Sequence, residues 1–204
     1  MSKIIKINKG LDINLLGKAE AKVTALPMAD SYAVSPLDFE GVVPKLLVKV
    51  GEQVKAGDAL FFSKNDSRVL FTSPVSGTVT AVNRGEKRKV LNVTVQPDAT
   101  QSFKEFNIPA IEKTSKEDAT KLLLEAGLWP LIIQRPYGII ANPDDQPKAI
   151  FVSGFDSAPL AADSDVVLAN DKANLQKGFD VLARLTAGKV HLSLNAKAEN
   201  KVFE

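Results

Sequence analysis

Between Val48 and Lys87 the chain reads VKVGEQVKAGDALFFSKNDSRVLFTSPVSGTVTAVNRGEK, and glycine, proline, asparagine and aspartate break every apolar run before it reaches helical length. Such punctuation permits short strands joined by tight turns and little else. Gly51 and Gly57 suit backbone with positive φ, and Pro74 and Gly77 set the turn into the next strand, Gly77 being expected at positive φ as well. Over residues 1–105 the runs AKVTALP, PKLLVKV, DALFFS, RVLFTSP, GTVTAV and KVLNVTV predict a small barrel or sandwich. Val48, Gly51 and Glu52 recur as Val82, Gly85 and Glu86, a weak internal repeat of β-patterned halves.

The pattern VxVGxxVxxGxxL followed by SPxxGxV resembles the biotinyl/lipoyl domains, barrel-sandwich folds of two similar halves. That resemblance implies a hairpin between the halves whose tip, in cofactor carriers, bears the modified lysine. Aligned from Leu60, the tip falls on Asp66-Ser67, with Lys64 on the ascending arm and Arg68 unable to accept the acyl group. The expectation is a barrel scaffold with no covalently bound cofactor, the alternative being a lipoyl- or biotinyl-type carrier module.

Past residue 105 the texture becomes helical, and residues 106–204 are expected to begin an α/β domain. TSKEDATKLLLEAG offers Ser115 as N-cap with Asp118 three residues on, Ala119, Leu122, Leu123 and Ala126 as an apolar face, and Gly127 as the stop. KAIFVSG reads as a buried strand. NLQKGFDVLARLTAG reads as a helix with Leu175, Phe179, Leu182 and Leu185 on one side and Gly188 as its stop, and KVHLSLN as a second strand. Strand, helix, strand implies a βαβ unit with parallel strands, so the whole is an α+β multidomain chain whose second part is Rossmann-like. Parallel sheets need cover on both faces and usually more strands, so this second domain is expected to be incomplete, as in a piece of a longer protein.

Composition removes several functions. Twenty-six basic and 24 acidic side chains leave a net charge of +2, which offers no surface for neutralising nucleic-acid phosphates. The absence of cysteine excludes disulfides, iron-sulfur clusters and thiolate zinc sites held by this chain. His191 is the sole histidine, so no transition-metal site or Ser-His-Asp triad is expected on it. Neither G-x-G-x-x-G nor G-x-x-x-x-G-K-[ST] occurs.

Three candidate sites remain. Asp156, Asp163, Asp165 and Asp171 follow the first strand of the βαβ unit, either as a cluster at its C-terminal edge or as caps and turns. Arg84, Lys87, Arg88 and Lys89 form a basic turn that is either merely solvated or a dock for an acidic partner or lipid headgroups. LWPLIIQRPYG brings Trp129 and Tyr137 near Arg135 between Pro130 and Pro136, an aromatic and cationic cluster that either holds a flat, polar-headed ligand or closes one edge of the core.

The stretches IKINKGLDI, PKLLVKVGEQVKAGDALFFSKN, FTSPVSGTVTAVNRGEKRKVL, EAGLWPLIIQRPYG and AIFVSGFDSAPLAAD, in that order, resemble the A subunit of the sodium-translocating NADH:quinone reductases. That family is similar to the C subunit of the Rnf electron-transport complex and to the flavin-binding subunit of respiratory NADH dehydrogenases, where a glycine-rich loop after the helix holds flavin mononucleotide. Here Trp129, Pro130 and Leu131 stand in that loop. The resemblance therefore implies a degenerate flavin fold with no flavin or NADH site of its own. It implies a peripheral subunit on the cytoplasmic side of the bacterial inner membrane, touching the membrane only through partner subunits. The complex as a whole would use NADH, flavins and Na+. Within it, Trp129, Arg135, Pro136 and Tyr137 are the candidate contacts for ubiquinone or menaquinone. An Rnf-type electron-transport subunit is a further alternative.

Overall fold

The computed structural model describes residues 15–17, 19–196 and 198–203. The stretch IKINKGLDI lies outside the described residues. Among the described residues, seven strands build the first half: β1 (Tyr32–Val34), β2 (Pro44–Leu46), β3 (Gln53–Val54), β4 (Ala59–Ser63), β5 (Asp66–Thr72), β6 (Gly77–Arg84) and β7 (Val90–Pro97). They form two antiparallel sheets, ordered β1-β7-β6-β3 and β2-β4-β5. Period-two alternation sends Val69 and Phe71 of β5, Val79 of β6 and Val93 and Val95 of β7 into one core. On β4 both Leu60 and Phe61 are buried, because a register irregularity between Ala59 and Phe61 turns two successive side chains inward. Phe61 stacks on Phe71, and Phe39 meets Phe71 edge-on, each pair with centroids 4.7 Å apart.

The segment over residues 21–27, expected as a strand, is not one. Its residues are exposed and take no part in a ladder, and among the described residues Tyr32, opposite Val95 of β7, is the first to join a sheet. PKLLVKV is a strand only as far as Leu46, after which the chain bends toward Gly51, whose N–H bonds the Val79 carbonyl at 2.8 Å. Gly51 and Gly57 have φ of +90° and +93° as expected. Gly77 does not have positive φ. Glycine is needed there for a different reason: a Cβ would collide with the Gln96 carbonyl oxygen and lie 2.9 Å from Pro97 Cα on β7.

The second half holds α1 (Lys116–Glu125), a short hairpin of β8 (Ile133–Gln134) and β9 (Ile139–Ile140), β10 (Ala149–Ser153), α2 (Ser164–Val167), α3 (Lys172–Arg184) and β11 (Lys189–Ser193). Ser115 and Asp118 close a reciprocal capping box on α1. The helix ends as a Schellman turn, Gly127 N–H to the Leu124 carbonyl and Leu128 N–H to that of Leu123, with Gly127 at φ +69°. β10 and β11 pair in parallel, Ala149 opposite Lys189 through Ser153 opposite Ser193, with α3 as the crossover. α3 stops at Arg184 with Leu185 as its C-cap, ahead of the expected stop at Gly188. Gly188 is instead where the chain grazes the Lys148 carbonyl, whose carbon would lie 2.9 Å from an added Cβ.

The two halves share one apolar core, since Ala119 and Leu124 of α1, Trp129 and Leu185 join the barrel residues in a continuous cluster. Among the described residues no helix is long and apolar enough to cross a membrane. Because the neighbour of Gly77 is backbone and has nowhere to go, Gly77→Ala should destabilise the fold by more than about 2 kcal/mol. Lys64→Ala, at an exposed turn, should stay within about 0.5 kcal/mol. Urea unfolding of both variants checks the contrast, and comparable small effects would remove the close β6–β7 approach.

Candidate functional site

A two-residue turn, Lys64-Asn65, joins β4 to β5, with Ser63 opposite Asp66. The hairpin tip is therefore Lys64-Asn65, not Asp66-Ser67, and Lys64 stands exposed on it rather than on the ascending arm. Counting from Leu60 misplaced the tip because the hairpin contains two register irregularities that a linear alignment does not register. The tip does not project freely: Lys64 N–H bonds the Val43 carbonyl at 2.8 Å, and Asn65 Nδ2 bonds that of Gly41 at 3.2 Å.

Asp66 and Arg68 lie two apart on β5 and so face the same way. Arg68 Nε and Nη2 donate to the Asp66 carboxylate at 3.0 and 2.7 Å, and its Nη1 and Nη2 reach both oxygens of Asp144 at 2.8 and 2.7 Å. The guanidinium thus links the barrel to the β9–β10 connection through a bidentate pair. These hydrogen bonds from Arg68 hold both carboxyl groups below the usual carboxylate range, and the two carboxylates in turn raise Arg68. Beside the triad a cleft of about 520 Å³ opens between β5 and α1, lined by Arg68, Leu70, Lys116, Lys121, Leu124 and Asp144. Lys116 Nζ spans it to the Asp145 carbonyl at 3.2 Å. No sequence pattern linked Arg68 to Asp144, 76 positions apart.

The aromatic and cationic cluster is taken apart by the fold. Trp129 opens a single 3-10 turn after α1, is 5% exposed, and donates from Nε1 to the Ala141 carbonyl at 2.7 Å, as a core residue with its polar atom satisfied. Arg135, Pro136 and Tyr137 stand exposed at the tip of the β8–β9 hairpin, Tyr137 at 72%. Trp129 and Tyr137 thus make no stacking slot. Around the hairpin Leu131 and Ile133 are exposed as well.

Asp156, Asp163 and Asp165 do come together at the C-terminal end of β10, around a cleft of about 200 Å³. Each carboxylate already accepts a backbone N–H: Asp156 from Ala158, Asp163, the N-cap of α2, from Asp165, and Asp165 from Val202, 37 positions on. Asp171 lies elsewhere, at the start of α3. His191 stacks on Phe151 across the parallel ladder at 4.9 Å, on an open face where Phe151 is 75% exposed. Among the described residues no three histidine or acidic side chains gather as metal ligands. The basic turn is a turn, Glu86–Arg88 between β6 and β7.

Two family models match this chain in succession, the NqrA N-terminal barrel-sandwich hybrid domain over residues 5–98 and the NqrA second alpha/beta domain over residues 114–204. The chain is 38% identical over 195 residues to the Na(+)-translocating NADH-quinone reductase A subunit of Photorhabdus laumondii, covering 95% of this chain and 44% of the relative. It is 38% identical over 189 residues to that of Saccharophagus degradans, covering 92% and 42%, and 37% identical over 184 residues to that of Pseudomonas aeruginosa, covering 89% and 41%. It thus spans less than half the length of the relatives it matches.

The triad predicts a specific response at the junction. A carboxylate whose folded pKa is depressed stabilises the fold above its ordinary titration range and loses that contribution as pH falls through the lowered value. The Arg68 link should therefore be fully present at neutrality and be lost progressively as pH falls through the ordinary carboxylate range and below it. Arg68→Met should lower the melting temperature at about 50 mM salt, with the difference shrinking toward about 1 M salt and below about pH 3. Thermal melts over that grid check it, and a difference indifferent to both salt and pH would show that the bridge contributes nothing.

Proposed function

Since the chain belongs to the family of Na(+)-translocating NADH-quinone reductase A subunits, we propose that it serves as a peripheral scaffold subunit of such a reductase. In that complex NADH oxidation and quinone reduction drive sodium export. The observation that carries this reading is the succession of both family domains along one chain, with 38% identity over 95% of it. A scaffold role suits the chemistry at hand. The position after α1 where flavin-binding relatives keep a glycine-rich loop is filled by Trp129 and Pro130, both buried, which leaves no open backbone to approach a phosphate. We place the subunit on the cytoplasmic side of the membrane and divide it near residue 105, between the two matched regions.

One observation favours a second reading, a lipoyl- or biotinyl-type carrier: Lys64 stands exposed at the hairpin tip. Against it, the tip is tied sideways to Val43 and Gly41, which restrains the swing a carrier needs. One experiment separates the two. The tagged chain, co-expressed with the remaining reductase subunits and a lipoyl ligase, is expected to co-purify with those subunits and to show the unmodified intact mass. Recovery alone would sink the scaffold reading, and an acyl increment on Lys64 would establish the carrier.

We extend the proposal to quinone, received by Arg135 and Tyr137 at the β8–β9 hairpin. Its support is the exposure of a cation beside an aromatic ring and two aliphatic side chains, a mixture that suits a ring with polar carbonyl oxygens. Trp129, spent in the core, has no part in it. Loss of a charge-assisted hydrogen bond corresponds to about tenfold or more in affinity, so Arg135→Ala should weaken binding of a soluble quinone analogue by about that factor at unchanged melting temperature. Equal affinity of parent and variant, measured by calorimetry, would remove this hairpin from consideration.

A further inference from the structure

We propose that the β6–β7 turn, through Arg84, Lys87, Arg88 and Lys89, is a contact site for anionic phospholipid headgroups. The six residues from Arg84 to Lys89 hold four cations and one carboxylate, a local charge of +3. The whole chain carries only +2, so everything else sums to −1 and the net positive charge of the chain is accounted for by this turn. All four basic side chains are exposed. Their backbone is pinned: the ladder runs to Arg84 opposite Val90, Gly85 N–H bonds the Lys89 carbonyl at 2.8 Å, and Arg84 Nη1 bonds the Arg88 carbonyl at 3.0 Å. Lys87 and Arg88 lie side by side in left-handed backbone, with φ of 52° and 62°, a conformation unfavourable for residues with a Cβ. The loop therefore presents four charges on a fixed frame.

Two kinds of anionic partner compete for such a surface, and the composition of the turn chooses between them. Protein interfaces are anchored by buried aromatic and aliphatic side chains at their centre. From Asn83 to Lys89 there is no apolar side chain, and the first one after it, Val90, is turned into the barrel core at 7% exposure. A headgroup layer needs no such anchor, because it attracts lysine and arginine through its surface potential and its lipids rearrange around them. The site departs from the expectation that membrane contact runs only through partner subunits, and it stands on these residues whichever complex the chain enters.

Vesicle sedimentation tests it. The purified chain should bind phosphatidylcholine vesicles containing about 30% phosphatidylglycerol at least about tenfold more tightly than phosphatidylcholine alone, and lose that preference between about 50 and 500 mM salt. Replacing all four cations by serine should lower binding by at least about tenfold in a chain that still melts cooperatively, whereas Glu86→Gln, which removes the one opposing charge, should strengthen it. Binding that is indifferent to lipid charge, or equal in the four-serine and parent chains, overturns the proposal. So does displacement from vesicles by a soluble polyglutamate peptide at concentrations where inorganic phosphate has no effect, since that identifies an acidic protein segment as the preferred partner.

Discussion

β5 has two faces that must both be covered, and the rest of the molecule is arranged around that requirement. Val69 and Phe71 point into the barrel, where Phe71 is clasped by Phe61 and Phe39. Leu70 and Thr72 point the other way, and α1 lies over them, with Leu124 beside Leu70 at the cleft. Gly127 comes so close that a Cβ there would stand 2.5 Å from Thr72 Cγ2. One strand therefore serves as the wall between two packed layers. This is why Ala119, Leu124 and Trp129 belong to the same apolar cluster as Leu60 and Val79.

The polar residues of β5 exploit that position. Asp66 and Arg68 sit at the hairpin end of the strand, beyond the reach of the apolar cover, and the guanidinium reaches the β9–β10 connection through Asp144. A two-oxygen contact to a planar donor sets orientation as well as distance, so the link aligns the second half on the barrel while the apolar core holds it there. Arg68 was legible in the sequence only as a residue unable to be acylated. Its partner lies 76 positions away, and no local pattern names it.

In this member of the reductase A-subunit family the segment after α1 is committed to packing. It turns a large indole inward and satisfies its N–H on Ala141, as a core residue. The hairpin that follows keeps its polar and aromatic residues outside. Trp129, Arg135 and Tyr137 group together in the sequence because they are neighbours in the chain, yet the 3-10 turn and the β8–β9 strands send them to opposite environments.

What the sequence determined by itself were the features set by local stereochemistry and periodicity. They are the turns at Gly51 and Gly57, the strands from Ala59 to Pro97, the capping box of α1 and the parallel pairing implied by strand, helix, strand. Each follows from which φ values, hydrogen bonds or buried faces a short stretch can support, so a short stretch suffices to read it. What only the tertiary structure decided were contacts between distant stretches. The tip of the β4–β5 hairpin depended on register irregularities, and residues 21–27, exposed throughout, form no strand. Gly77 and Gly188 proved to be points where two backbones meet, and Arg68 found Asp144. Steric exclusion and ion pairing act across space and carry no signature along the chain, so these features became visible only once the strands were in register.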